Sequence, residues 1–248
     1  MSLQPPANYN DLSALLINCS LKPGSVASHT DRLLEVPRAI FEKQGVKVEL
    51  VRAEDYNLAP GVKPDMSKEH PDAFPDDGWP RLHEKVMAAD ILMLGSAIWI
   101  GEATSTLVRV MERIYASSGE SNDKGQYPYY GKVGGVMVTG NEDGYKNVAK
   151  QVVYGLAHMG FTIPPQPDAA WVGEAGPGQS YGDERDDGTP AGYDNSFTQK
   201  NAVFTTWNCL HLARMLKDAG GIPAYGNVSQ QWKDGERFGH PYPQHLEH

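Results

Sequence analysis

Short apolar runs that alternate with helical patterns constrain the fold of this chain more than any other feature. The runs are β-leaning and mostly lack polar alternation, which is typical of strands covered on both faces. The five predicted strands are residues 14–20, 46–51, 90–96, 133–140 and 168–174. A repeated alternation of strands and helices predicts an α/β domain, with a parallel sheet and helices on both faces.

Apolar residues at helical spacing lie between these runs. The predicted helices are residues 28–44, 104–116, 145–159 and 198–218, with a short helix at 81–89. Three long segments are predicted loops: residues 53–80, with five prolines and no sustained period, and the polar segments 117–131 and 174–195, rich in Gly, Asp and Tyr. Loops this long in a compact domain usually serve a function or shape an interface.

The pattern predicts one domain with extensions at both ends. We expect an N-terminal tail over residues 1–12, a domain over residues 13–219, and a C-terminal extension over residues 220–248. The closing letters HLEH resemble the start of a purification tag, so we leave them out of the functional reasoning.

Composition excludes several classes of function. With 31 acidic against 22 basic residues and a net charge of −9, the chain has no basic stripe for a nucleic-acid backbone. Without a signal-peptide pattern or an apolar run of about 20 residues, we expect a cytoplasmic protein that does not cross a membrane. Cys19 and Cys209 lie in buried-type patterns, and the histidines lack paired ligand spacing, so we expect no disulfide and no metal site.

The predicted sheet directs attention to three loops. Ligands of open parallel sheets bind beyond the carboxyl ends of the strands, where the strand order reverses, so the loops after the first, third and fourth strands matter. The first loop brings hydroxyls and an ammonium to the start of a helix, which predicts a phosphate site. These side chains are Ser20, Lys22, Ser25, Ser28 and Thr30. Alternatively, Ser28 is only the helix N-cap, in a capping box with Asp31.

The first loop lacks both G-x-G-x-x-G and G-x-x-x-x-G-K-[ST], so it favours a mononucleotide over a dinucleotide or a triphosphate. The loop after the third strand, GSAIWIGEATSTL, combines glycines that admit a ligand with the flat apolar area of Trp99 and Ile100. Simple core filling by Trp99 is the alternative. The loop after the fourth strand, TGNEDGYKN, is again glycine-rich, with a hydroxyl and an amide.

Together these loops resemble those of the flavodoxin-like NAD(P)H-dependent FMN reductases and the related quinone reductases. The family's phosphate loop is matched by residues 20–23 (SLKP) followed by residues 28–30, with His29 where Asn is usual. Its loop after the third strand is matched by residues 97–101 (AIWIG), with Ala97 in place of proline. Thr139, Gly140 and Gly144 match the loop after the fourth strand, and the resemblance covers residues 13–218.

The resemblance implies a five-stranded parallel sheet of order 2-1-3-4-5, and an FMN with its phosphate in the first loop and its ring against the other two. It implies hydride transfer from NAD(P)H to FMN and on to a quinone, free flavin or similar small electrophile, in a homodimer. The implied cofactor-binding residues are Ser20, Lys22, Ser28, His29, Thr30, Ser96, Ala97, Ile98, Trp99, Ile100, Gly101, Glu102, Thr139, Gly140, Asn141 and Gly144. No side chain is assigned as acid or base, because the cofactor carries this chemistry and Glu102 suits a helix-dipole partner.

Several alternatives remain open beside this interpretation. GQSYG at residues 178–182 matches the nucleophile elbow of serine hydrolases, although no helical pattern follows Ser180. The same segment approaches a calcium loop, but Arg185 occupies a ligand position. Within the same fold, a flavodoxin-type electron carrier or a non-catalytic flavin-binding protein is also possible. Two roles fit the tyrosines of residues 126–131, the wall of a substrate pocket and a subunit interface, and we predict the interface.

Overall fold

The computed structural model describes residues 4–176 and 178–246. Residues 1–3 of the predicted tail and residues 247–248 of the expected tag remnant lie outside the described residues. The strands are β1 (Ser13–Asn18), β2 (Lys47–Arg52), β3 (Ile91–Trp99), β4 (Glu102–Ala103), β5 (Val133–Gly140) and β6 (Asp168–Val172). The helices are α1 (His29–Lys43), α2 (Met66–Glu69), α3 (Trp79–Ala88), α4 (Ser105–Tyr115), α5 (Tyr145–His158), α6 (Ser196–Asp218) and α7 (Ser229–Lys233), with 3-10 turns at Ala53–Tyr56 and Pro243–His245.

The predicted parallel sheet and its order are confirmed. Five parallel strands run in the order β2-β1-β3-β5-β6. When only these five parallel strands are numbered along the chain, this is the predicted order 2-1-3-4-5. Leu16 at the centre of β1 pairs with Leu50 of β2 and Met93 of β3. The five predicted parallel strands are joined by an additional strand that was not predicted, the two-residue β4, which pairs antiparallel with the end of β3.

The core forms two layers, one on each face of the sheet. Successive side chains of a strand point to opposite faces. Leu15 and Ile17 of β1 therefore pack with α3, α4 and α5, whereas Ala14 and Leu16 pack with α1 and α6. Both layers are continuous along the sheet, and they leave its carboxyl edge to the loops.

The segments outside the central domain also contribute to packing. Tyr9 and Leu12, placed in the predicted tail, are buried, and the Tyr9 hydroxyl lies 2.8 Å from Nδ1 of His211 in α6. The predicted interface role of Tyr129 was wrong, because its ring is fully buried in the chain's own core and stacks on Phe161 with 4.8 Å between centroids.

The proline-rich segment 53–80 is held to the domain by a buried ion pair. Asp77 and Arg113 of α4 are both fully buried and lie 2.7 Å apart. The same carboxylate accepts hydrogen bonds from the backbone N–H groups of Ala59, Met66 and Trp79. The later part of this segment therefore belongs to the packed scaffold, whereas its first turn, at Ala53–Tyr56, follows the carboxyl end of β2.

Candidate functional site

A cavity of about 490 Å³ lies at the carboxyl ends of β1, β3 and β5. All three predicted loops contribute to its walls, and eleven of the sixteen predicted residues line it. These are Ser20, Lys22, Ser28, His29, Thr30, Ala97, Ile98, Trp99, Thr139, Gly140 and Asn141. The sheet therefore brings together residues that are more than 100 positions apart in the sequence.

A chain of hydrogen bonds organises the hydroxyls of the first loop. The Asn18 amide donates to Oγ of Ser28 over 3.1 Å, and the Ser28 hydroxyl donates to Oγ of Ser20 over 3.1 Å. Because each step uses one donor, the Ser20 proton is left to donate toward a ligand. Linked hydrogen bonds of this kind strengthen one another. Ser20 and Ser28 are both buried, so these donors are held in place.

The start of α1 completes a group of anion donors at the predicted phosphate site. We call this group, Ser20, Ser28, Thr30 and the first turn of the helix, the phosphate cradle. Ser28 occupies the N-cap position but makes no side-chain capping bond, so the capping-box interpretation was wrong. The backbone N–H groups of the first turn and the helix dipole therefore favour an anion here. Thr30 Oγ1 lies 2.8 Å from Thr139 Oγ1, which links α1 to the end of β5.

Sequence reasoning missed Asn18 and Arg52, which shape the cradle from behind. Arg52 is buried, forms an ion pair with Asp31, and donates to the carbonyl oxygens of Lys22, Pro23 and Val26. It therefore fixes the path of the loop. A polar residue inside a buried run and an arginine just past a predicted strand were the available signals.

The loop after β3 forms a tight hairpin with β4. Its turn residues have φ angles of 49° (Ile100) and 76° (Gly101). A left-handed conformation is unfavourable for a β-branched residue, so Ile100 is strained, and its N–H donates to Glu142 Oε1 over 2.7 Å. Trp99 is 56% exposed while lining the cavity, so the alternative that it fills the core was wrong.

The other five predicted residues do not line the cavity. Ser96 is buried, Ile100 points outward with 89% of its surface exposed, and Gly101 is the second turn residue. Glu102 accepts hydrogen bonds from the side-chain amides of Asn147 and Gln151 in α5. A Cβ at Gly144 would lie 2.5 Å from the Gly101 carbonyl oxygen, so glycine is required for this close approach. Together, these residues support the hairpin.

A fourth segment lines the cavity, which the predicted cofactor contacts did not include. Ala175, Gly176, Gly178 and Ser180 belong to the long polar loop before α6. Asn141 holds this loop: its Nδ2 donates to the carbonyl oxygens of Gly178 and Gln179, both over 2.9 Å, and its Oδ1 accepts from Ser180 Oγ over 3.0 Å.

The rival interpretations of this loop do not fit the geometry. The Ser180 hydroxyl binds an amide, and α6 begins only at Ser196, so the arrangement of a nucleophile elbow is absent from the described part of this loop. Arg185 forms a two-pronged ion pair with Asp194, and Asp187 accepts from the Thr189 hydroxyl. These carboxylates therefore stabilise the loop itself.

Residues 4–176 and 178–246 contain neither a metal-binding cluster nor a helix suited to a membrane. No group of three or more His, Cys, Asp or Glu side chains in these ranges is placed to hold a metal ion. In the same ranges, no helix combines the length and apolar character of a membrane span. Cys19, behind the cradle, is completely buried, and burial raises the pKa of its thiol, which keeps it protonated.

The donor set suits the phosphate of a flavin mononucleotide, and the rim suits its ring. Hydroxyls and helix N–H groups converge on one end of the cavity, where Lys22 also lies with its ammonium donating to the Ala27 carbonyl oxygen over 3.2 Å, while Ile98 and Trp99 give an apolar wall at another. The sequence profile of the NADPH-dependent FMN reductases matches residues 12–175. The chain belongs to this family. Its fold is accordingly flavodoxin-like, and its cavity suits a flavin phosphate.

Two proteins similar in sequence to this FMN reductase family member are named for different activities, one for flavin synthesis and one for metal transport. It is 32% identical over 217 residues to the 8-demethyl-8-aminoriboflavin-5'-phosphate synthase of Streptomyces davaonensis, covering 84% of this chain and 79% of that protein. It is 47% identical over 235 residues to the divalent metal cation transporter MntH of Mycobacterium bovis, covering 90% of this chain. The chain spans only about a third (33%) of the length of that second protein.

Solved structures agree with this assignment. The structure of RosB with bound 8-demethyl-8-formylriboflavin-5'-phosphate superimposes with a TM-score of 0.78 at 31% identity, covering 91% of this chain and 88% of the other. A flavone reductase superimposes with a TM-score of 0.53 at 14% identity, covering 84% of this chain and 64% of that one, which shows a shared fold.

Proposed function

We propose that the protein is an FMN-dependent NAD(P)H oxidoreductase that passes a hydride from NAD(P)H to bound FMN and then to a small acceptor. A quinone, free flavin or similar electrophile is the expected acceptor. The observation that carries this proposal is that one cavity is lined by the phosphate cradle at α1 and by the exposed Trp99 at its rim. Family membership supports the same reaction class.

The residues of the chain would hold and orient the cofactor, whose ring supplies the hydride chemistry when bound. Ser20 and the first turn of α1 would bind the phosphate. Ile98 and Trp99 would cover the ring and exclude water. Gly140 allows the close packing of this wall, because a Cβ there would lie 2.8 Å from Cδ1 of Ile98.

Steady-state oxidation of NADH and NADPH by the FMN-loaded protein, with a quinone as acceptor, tests this proposal. We expect many turnovers without any second protein. A flavodoxin-type electron carrier would instead turn over only after a separate reductase is added, and that result would contradict the proposal.

A second candidate function is chemical modification of the flavin itself. The relative from Streptomyces davaonensis is named as a synthase of a modified riboflavin phosphate, and the similar solved structure holds a formylated riboflavin phosphate. In that case the cavity would bind a flavin phosphate as substrate. Mass spectrometry of the flavin recovered after turnover distinguishes the two: an unchanged FMN mass supports the oxidoreductase, and a changed mass supports modification.

The homodimer and the cytoplasmic location stay predictions. We propose the dimer because the hairpin tip exposes Trp99 and Ile100 beside the cavity, and a partner subunit would cover such apolar surface. Light scattering of the flavin-loaded protein at micromolar concentration should give twice the mass of one chain. The mass of one chain would contradict the proposed dimer.

A further inference from the structure

Residues 178–183 (GQSYGD), here called the strap, lie beyond the family match, which ends at residue 175. At one end, Asn141 binds the strap through Gly178, Gln179 and Ser180. At the other end, the strap reaches α1: Nδ1 of His29 lies 3.0 Å from the Tyr181 carbonyl oxygen. The strap therefore joins the loop after β5 to the start of α1.

The α1 end of the strap has a second contact. The Arg32 guanidinium donates to the carbonyl oxygen of Gly182, and it lies 4.0 Å from the Asp183 carboxylate. A Cβ at Gly182 would lie 2.5 Å from Cδ of Arg32, so glycine, with its φ of 80°, permits this close packing.

Both ends of the strap lie beside the phosphate cradle. His29 stands between the cradle residues Ser28 and Thr30, and Asn141 follows two residues after Thr139, whose hydroxyl binds that of Thr30. The strap consequently crosses the cavity at the end where the flavin phosphate is proposed to bind.

The strap is held in one shape by its own bonds and by α6. The backbone N–H of Ser180 donates to the Asp183 carboxylate over 2.8 Å, and the backbone N–H of Asp183 donates to the Ser180 carbonyl over 3.0 Å. The Tyr181 ring is buried, and its hydroxyl accepts from Gln199 over 2.9 Å. Such a segment acts as a fixed wall.

The charge at this wall opposes a second phosphate group. The Asp183 carboxylate lies 3.5 Å from Nδ1 of His29, next to the cradle. One phosphate fits the donors of the cradle. A ligand that continues past it with a second phosphate would meet the backbone of the strap and the negative charge of Asp183.

We propose that the strap is a specificity element that ends the cavity at one phosphate and so excludes flavin dinucleotides. This proposal rests on the proposed function, because it takes the phosphate end of FMN to lie in the cradle. A flavin adenine dinucleotide (FAD) would have to displace the strap from Asn141 or from α1. The strap acts by position, and no chemical step is assigned to it.

The test measures the affinities of FMN, FAD and riboflavin for the flavin-free full chain and for two variants. Asp183→Asn removes the charge and keeps the shape, with Asp187→Asn in the same loop as its control. Arg32→Ala removes one of the two contacts that hold the strap to α1 and so loosens it, with Arg38→Ala on the same helix as its control. Losing a cation does not by itself favour a phosphate ligand, so better FAD binding by Arg32→Ala would come from the loosened strap.

We expect the parent protein to bind FMN at least about tenfold more tightly than FAD, and each variant to narrow that ratio about three- to tenfold while its control does not. An unchanged ratio in both variants, or equal affinities of the parent for FMN and FAD, would overturn the proposal. The ratio is taken within one protein, so a general loss of stability does not change it. Equal affinities of the parent for FMN and riboflavin would instead refute the phosphate cradle, and the strap proposal with it.

Discussion

Replacing Ser20 by alanine should weaken FMN binding and leave riboflavin binding almost unchanged. Ser20 ends the hydrogen-bond chain that begins at Asn18 and passes through Ser28, so its proton is the one directed to a ligand. A hydrogen bond to a charged group contributes about 1.5–3 kcal/mol. At about 1.4 kcal/mol per factor of ten, the dissociation constant for FMN should rise about 10- to 150-fold.

The cost to folding should be smaller. Ser28 loses the acceptor of a neutral hydrogen bond, which contributes about 0.5–1.5 kcal/mol net. Ser25→Ala is the matched control: Ser25 was expected in the phosphate site, but it is exposed and does not line the cavity, so its loss should change neither affinity. Calorimetric titration of the flavin-free parent and of both variants, with FMN and with riboflavin, gives the dissociation constants that are compared. If Ser20→Ala lost as much affinity for riboflavin as for FMN, or lost no affinity for FMN, phosphate binding by the cradle would be refuted.

Three further predictions follow from other parts of the structure. Trp99→Ala should raise the emission of bound flavin and slow quinone reduction, with little effect on thermal unfolding, because the side chain is 56% exposed; a large stability loss with unchanged emission would contradict this. Arg113→Met should lower the free energy of unfolding by about 3–5 kcal/mol, because Asp77 loses its buried partner; denaturant unfolding beside Arg38→Met, an exposed pair, checks this. Burial raises the pKa of the Cys209 thiol to about 12, above that of a free thiol, so at pH 8 it is protonated and should react with a thiol reagent only after unfolding. Labelling of the native chain would contradict this.

Sequence reasoning recovered the parts of the fold that depend on local pattern. The strand predicted at residues 133–140 matches β5, and the helix predicted at residues 28–44 differs from α1 by one residue at each end. Continuous apolar runs and helical spacing are properties of neighbouring residues, so they can be read without the tertiary structure.

The hairpin after β3 could not be predicted in this way. β4 has two residues, too few for any periodicity, and its turn places Ile100 where asparagine or glycine is the usual choice. Glu142 and the close approach of Gly144 to Gly101 support this turn from another loop. Contacts distant in sequence therefore override the local preference of Ile100.

The residues of the candidate site likewise fall into a predicted group and a group that sequence reasoning missed. Residues that line the cavity directly, such as Ser20, His29 and Trp99, were predicted because they follow strand ends. Residues that hold the backbone of a lining loop were missed: Arg52 donates to carbonyl oxygens of the first loop from the neighbouring strand, and Arg32 donates to the Gly182 carbonyl oxygen across 150 positions of sequence. The place of Arg52 just past a predicted strand marked it as a candidate, but a single sequence does not show which distant residue a side chain contacts.

The ratio of flavin to protein after loading and gel filtration tests the central claim most directly. The account predicts that the full chain, incubated with excess FMN and then separated from free flavin, retains about one FMN per chain, with the absorbance bands of oxidised flavin. The same procedure with riboflavin should leave much less flavin bound, because the cradle then has no phosphate to hold. Retention of neither flavin, or equal retention of both, would contradict the account.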